Sequence, residues 1–249
     1  MNFREGNSMK HNHKLIGILM LGIFCISQAV HANSGSTQYY GKGLCNHPDF
    51  FCAKVNVNGW ERAFPDPVQR DIVQKVNRTY NYLGRGKVIA VPKNLEQISI
   101  LDVSPFPLYL PNVQEKQVVV DQEKLAWAAY DKNGNQVLWG PISSGKDYCP
   151  DIGKRCITQT GEFRFFNKQD DSCRSRTFGG AKMPYCMFFY KGFAMHGSHD
   201  IPGRRASHGC IRMFTRDAKW LNRQFIEISH DGNNQRGTKV IVRKLIKYK

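Results

Sequence analysis

Apolar residues in this chain fall mostly in short runs of four to eight, with few long helical stripes. The first run, Leu15–Ile26, is twelve residues long and too short to cross a bilayer as a helix. Val68, Ile72, Val76 and Tyr80 recur at steps of four, which predicts an amphipathic helix over 68–80 behind Pro65 and Pro67. Gly84 and Gly86 end it, and Lys87-Val88-Ile89-Ala90-Val91-Pro92 reads as a strand. Val118-Val119-Val120 is a buried-type strand. Leu125–Tyr130 and Gln136–Trp139 flank Asp131–Asn135, where Asn133-Gly134 signals a tight turn and hence a hairpin. Gly161–Asn167 alternates as a strand does, and Pro184–Tyr190 and Phe193–His196 are apolar and aromatic. In Thr215–Phe225, Ala218, Leu221 and Phe225 share a helical face, Thr215 is the expected N-cap, and Asp217 suits the positive end of the dipole. A strand over 237–246 closes the chain, with Val240, Val242 and Leu245 expected inward. The fold class expected is mainly β: a sandwich or barrel-like domain with one late helix, preceded by a small α/β region.

The ends and breaks suggest three segments. Residues 1–32 read as a signal peptide: a basic stretch with Lys10 and Lys14, the apolar run, and Val30-His31-Ala32 as a small-x-small cleavage site. The mature chain then starts at Asn33 and keeps no transmembrane anchor; Met9 is an alternative to Met1 as the translation start. Residues 33–116 form an N-terminal region whose first part, Asn33–Asn58, lacks periodicity and reads as a stapled loop. Ser104-Pro105-Phe106-Pro107 and Pro111 read as a stiff linker. Residues 117–246 form the main domain.

Charge and cysteines narrow the setting. The formal net charge is +16, and removing 1–32 takes Arg4, Lys10 and Lys14 against Glu5, so the remainder stays strongly basic. A basic secreted chain favours anionic surfaces such as wall polymer. Its basic residues are scattered and no nucleic-acid-reading motif is present, so nucleic acid is not an expected partner. Of the eight cysteines, Cys25 lies in the targeting segment, which leaves an odd count in an oxidising compartment and one thiol over. Sequence neighbourhood suggests Cys45–Cys52, Cys149–Cys156 and Cys173–Cys186, one of fifteen possible pairings of six cysteines. Cys210 is the seventh.

Met195–Met213 concentrates the chemistry: three histidines, one cysteine and three glycines. Cys210 follows Ser207-His208-Gly209 and precedes Ile211-Arg212, and His196, followed by Gly197-Ser198, lies fourteen residues upstream. A thiol becomes a useful nucleophile when a neighbour takes its proton, and His196 and His208 are both candidates. Gly209 frees the backbone, so that N–H groups of 208–210 can converge on a developing oxyanion. If the segment is extended, Arg212 shares a face with Cys210 and suits a substrate carboxylate. Three histidines and one cysteine also raise zinc, but the spacing fits none of the common structural patterns; no metal or other cofactor is expected. His199 reads as a loop residue. Tyr185 is a candidate for substrate contact or cleft wall.

His196-Gly197…Ser207-His208-Gly209-Cys210-Ile211-Arg212 resembles the signature of the YkuD-type L,D-transpeptidases. Ser143-Ser144-Gly145-Lys146 and Thr160-Gly161-Glu162-Phe163 are similar to a further stretch of that family, with Gln159-Thr160 where the family has a proline. The resemblance implies a β-sandwich or barrel-like catalytic domain with one helix after the nucleophile. It implies Cys210 as nucleophile, His196 as base, His208, Gly209 and Ser207 shaping the turn and oxyanion site, and Arg212, with Gly197, near the substrate. The expected partner is the peptidoglycan stem peptide. A thioester would form on Cys210 with release of a D-amino acid, followed by transfer to an amine, in the periplasm or cell wall; carbapenems would acylate the same sulfur. Asn77…Leu83…Gly86…Ile89…Val91-Pro92 is similar to the second half of a LysM module, which would add glycan strands as partners of the N-terminal region. The competing readings are a non-catalytic wall-binding or host-contact protein that keeps the fold, a hydrolytic cysteine peptidase or carboxypeptidase, and a zinc hydrolase. Papain-like enzymes place Cys before His, and sortases separate the two more widely.

Overall fold

The computed structural model describes residues 39–245. The targeting segment assigned to 1–32, and Ile246 with the Lys247 and Lys249 tail, lie outside the described residues.

The front region is built on an antiparallel pair. After a short helix α1 (Tyr40–Gly43) come β1 (Phe50–Lys54), α2 (Trp60–Ala63), α3 (Pro67–Val76) and β2 (Val88–Pro92), with β1 and β2 in register from Phe50↔Pro92 to Lys54↔Val88. The segment expected as a loop over 33–58 thus contains a strand. It was hidden because most of its side chains face water and none alternates cleanly. Cys45–Cys52 ties it back.

Helix α3 starts where Asp66 accepts from the Gln69 N–H. It stops four residues earlier than the step-of-four pattern predicts. Asn77 pins its end to β2, with Nδ2 donating to Val73 and Ala90 carbonyls and Oδ1 accepting from the Ala90 N–H. Arg78 then turns into positive φ. Ile72, Val73 and Val76 are buried, but Val68 is 63% exposed and is not part of the apolar face.

In the main domain nine strands form one sheet among the described residues, ordered β6-β11-β3-β4-β5-β10-β9-β8-β7. These are β3 (Gln117–Asp121), β4 (Ala126–Tyr130), β5 (Gln136–Ser143), β6 (Gly161–Arg164), β7 (Asn167–Lys168), β8 (Met187–Tyr190), β9 (Phe193–Gly197), β10 (Ile211–Met213) and β11 (Lys239–Val242). The expected single strand 161–167 is two strands. They sit at opposite ends of the sheet yet are separated only by Phe165 and Phe166, so the sheet must curl until its edges meet. The crossing falls between these two residues: the Phe165 N–H donates to Thr238 and the Phe166 N–H to Phe188. Strand β5 makes the corner, pairing with β4 through Pro141 and with β10 through Ile142 and Ser143.

Inside the curl, Val118, Val120, Trp127 and Ala129 of one half meet Met187, Phe189, Met195, Ile211 and Met213 of the other. Ala218, Leu221 and Phe225 add the buried face of α4 (Thr215–Trp220) and the π-helical turn Leu221–Phe225 that continues it. Thr215 is the first helical residue and its side chain caps nothing; Phe214 holds the N-cap position. The closing strand ends at Val242, and Leu245 lies beyond it, half-buried.

The proline-rich stretch expected as a linker is instead a strap on the outer face of β3–β5. Phe106 packs with Ala126, Ala128, Tyr130 and Trp139, and Tyr130 Oη donates to the Pro107 carbonyl at 2.8 Å. That cover explains why β3 and β4 are buried on both faces.

The front region is joined to the main domain by buried polar contacts. Lys75 Nζ donates to the Trp139 carbonyl at 2.8 Å and lies 3.7 Å from Asp217 Oδ1. Arg78, buried, stacks between the Tyr40 and Trp139 rings and donates to the Lys124 carbonyl.

Candidate active site

Strands β9 and β10 run parallel, with Ile211 opposite Met195 and Arg212 opposite His196. Because side chains alternate along a strand, Met195, Ile211 and Met213 point into the core. Ala194, His196 and Arg212 point the other way, and Cys210, just before β10, packs beside Ala194 on that same outer face. One register therefore sets thiol, imidazole and guanidinium on one face. Cys210 lies two positions off His196 across neighbouring strands about 4.8 Å apart.

His196 is almost fully buried, and its Nδ1 lies 2.8 Å from the Gly197 carbonyl. A carbonyl only accepts, so Nδ1 carries the hydrogen and Nε2 is left as the basic nitrogen. Desolvation pushes its pKa down to about 4, with the Arg212 charge adding to that and the Gly197 contact opposing it. The ring is therefore neutral at pH 7. Burial likewise pushes the Cys210 thiol up, against opposing contributions from the Ala194 backbone and Arg212. Its Sγ donates to the Gly192 carbonyl at 3.7 Å, and among the described residues no hydrogen bond joins it to His196. The resting pair is thus thiol and neutral imidazole, not an ion pair.

Gly197 is needed for space: a Cβ there would sit 3.0 Å from Thr215 and 3.1 Å from the Pro184 carbonyl. Gly209 has φ +128°, and a Cβ would meet the Phe193 ring at 3.0 Å. The Gly209 N–H donates to Ser207 Oγ at 3.1 Å, and Ser207 Oγ donates to the Cys210 carbonyl. That removes the Gly209 N–H from the three expected to converge on an oxyanion. It leaves those of His208 and Cys210 as candidates.

His208 is turned away. Its Nε2 is 2.6 Å from Asp151 Oδ2, and its ring lies against Phe178, tilted by 41° with 4.9 Å between centroids. Asp151 belongs to the loop closed by Cys149–Cys156, and the hydrogen bond from His208 holds its carboxyl below the usual range. The structure therefore gives His208 a carboxylate partner rather than Cys210. Tyr185, at positive φ, packs into the inner core with Arg223 over its ring, so it does not reach the outer face.

Among the described residues the disulfides are Cys45–Cys52, Cys149–Cys156 and Cys173–Cys186, the neighbour pairs, and Cys210 is free. Cys173 and Cys186 pack with Met183 and Phe188 against Cys210, so the loop they staple lies beside the free thiol. The sulfurs of Cys149 and Cys156 lie within 4.8 Å of a His208 nitrogen. Joined in a disulfide, they have no thiolate to offer a metal.

Sequence reasoning missed several residues that hold this site. Thr158, fully buried, receives the Gly145 N–H at 2.8 Å and donates to the Gly209 carbonyl at 2.7 Å. Asp200 Oδ2 accepts from Arg212 Nη1 at 2.7 Å. Tyr80 Oη donates to the Ser198 carbonyl, and Asn81 bonds Asp200 and Ile201. None of these lies in a contiguous motif.

The free thiol of Cys210, the His196 imidazole and the Arg212 guanidinium thus lie on one face of a curled β-sheet. The chain belongs to the YkuD family of L,D-transpeptidase catalytic domains: that family's model matches residues 115–242, just over half of the chain. It is an L,D-transpeptidase. Among solved structures it is similar to an L,D-transpeptidase from Xylanimonas cellulosilytica, at 27% identity over 73% of this chain and 80% of that one, with a TM-score of 0.51. An L,D-transpeptidase from Enterococcus faecium shares 26% identity over 53% of this chain and 51% of its own, TM-score 0.39. One from Mycobacterium tuberculosis shares 19% over 52% and 57%, TM-score 0.39. No curated protein matches the sequence.

Proposed function

We propose that the protein is a secreted transpeptidase of peptidoglycan stem peptides working through a Cys210 thioester. The observation that carries this reading is the β9–β10 register, which sets Arg212 opposite His196 and Cys210 on their face. Nε2 of His196 takes the thiol proton as Sγ attacks the carbonyl of the third stem residue. The N–H groups of Cys210 and His208 receive the oxyanion. As the C–N bond breaks, His196 returns the proton to the departing D-amino acid, leaving the thioester. An amine of a second stem, or of a protein, then attacks; His196 takes its proton and passes it to the leaving sulfur. Arg212 receives a donor carboxylate.

The leader over 1–32 carries the chain to the periplasm or wall, and its basic surface favours anionic polymer there. The front region adds a contact to glycan strands. Three disulfides beside one free thiol among the described residues support the oxidising compartment. The test is incubation of the full chain with a disaccharide-tetrapeptide, with products read by mass spectrometry. D-amino acid release with a cross-linked dimer is expected, and neither should appear with Cys210→Ala. Release without any dimer, at high acceptor concentration, would reassign the enzyme as a carboxypeptidase.

A further inference from the structure

The loop between His196 and Cys210 is held from outside the main domain. The Tyr40 N–H donates to the Gly203 carbonyl at 2.8 Å, and Thr79 bridges Pro202. Asn81 uses both ends of its amide: Oδ1 accepts from the Ile201 N–H at 2.8 Å, and Nδ2 donates to Asp200 Oδ1 at 3.0 Å. The other oxygen of Asp200 holds Arg212 Nη1 at 2.7 Å. Asn81 is itself anchored in the front core, because Trp60 Nε1, from a nearly fully buried indole, donates to its carbonyl at 2.8 Å.

We infer that Asn81 is a positioning residue for the transpeptidase reaction: through Asp200 it fixes the guanidinium of Arg212, so the front region completes the donor subsite. The inference rests on the reading of Arg212 as the acceptor of a donor carboxylate. Arg212 alone is a long side chain with several rotamers, and a single exposed ion pair to Asp200 would order it weakly. Asp200 becomes a fixed partner because its second oxygen and the following N–H are both tied to one rigid amide. A guanidinium ordered before binding meets a carboxylate with less entropy lost. The same chain of contacts gives the front region a role in turnover apart from any contact with glycan.

The test uses the full chain and three donors: a disaccharide-tetrapeptide with free carboxylates, and two analogues with one or the other carboxylate converted to carboxamide. Asn81→Leu removes both hydrogen bonds at similar volume. It should raise KM for the free donor roughly tenfold while kcat stays within about threefold, the pattern for lost ground-state binding. On the carboxamide donor that no longer engages Arg212, Asn81→Leu and wild type should agree. Asp200→Asn should show the same pattern and decides the matter where Asn81→Leu misfolds, and the double variant should be no worse than the stronger single. Arg212→Gln is the reference. If it discriminates between donors while the Asn81 and Asp200 variants slow all donors alike, or none, positioning is overturned and the Arg212 reading stands. If Arg212→Gln treats all donors alike, the Arg212 reading fails and the inference with it.

Discussion

Thr158 and Gly209, 51 positions apart, are joined by a 2.7 Å hydrogen bond from hydroxyl to carbonyl, and the same hydroxyl receives the Gly145 N–H at 2.8 Å. All of it is buried, so a valine at 158 would orphan a donor and an acceptor together. An unsatisfied buried group costs about 1–3 kcal/mol. With two such groups, Thr158→Val should lose about 2–6 kcal/mol of stability and lower kcat, since the glycine before Cys210 loses its tether; Thr158→Ser should keep both. Denaturant midpoints and steady-state rates of the two variants check it.

Lys75 of the front region and Asp217 of α4 form a buried pair at 3.7 Å. Burial raises the Asp217 pKa, with Lys75 and Arg216 opposing. Lys75→Met leaves that carboxylate only Arg216, 3.8 Å away, and takes the donor from the Trp139 carbonyl, a loss of about 1–3 kcal/mol. Adding Asp217→Leu should recover most of it, because no buried charge then lacks a partner. Chemical denaturation of the single and double variants distinguishes this from a generic packing defect, in which the double would be worse.

The low pKa of His196 links folding to pH. The unfolded chain binds a proton on this ring below about 6.5, whereas the folded protein does so only below about 4. Between these values the unfolded state holds more protons, so stability falls as pH falls. His196→Gln should flatten that part of the curve. Unfolding midpoints of the two proteins from about pH 7 to pH 4.5 read the difference.

The thiol is also testable in the native state. Iodoacetamide should label Cys210 and leave the six disulfide cysteines untouched. Because burial raises the thiol pKa, the labelling rate should still be climbing above the free-thiol value of about 8.5. A rate already level at neutral pH would mean a resting thiolate.

What could be read from the sequence was what is local. Ser207–Arg212 is contiguous, and His196 precedes it by one short loop, so the chemistry was visible. Buried runs such as Val118-Val119-Val120 announced their strands. The step-of-four pattern overran α3 because Tyr80 is apolar for another reason: it reaches Ser198 and Thr215 in the main domain. The prolines at 105 and 107 looked like a linker because sequence does not reveal that a sheet's outer face waits for Phe106. Thr158, Asn81 and Asp200 act across long separations, and their residue types are ordinary loop types. His208 looked like a second base because only the folded loop brings Asp151 to it.

The most direct measurement is acid-quenching the enzyme during turnover of a disaccharide-tetrapeptide and mapping its peptides by mass spectrometry. One covalent adduct is expected, on Cys210, with the mass of the donor acyl group lacking its terminal D-residue. An active enzyme with no adduct on Cys210, or with the acyl group on another residue, would contradict a Cys210 thioester.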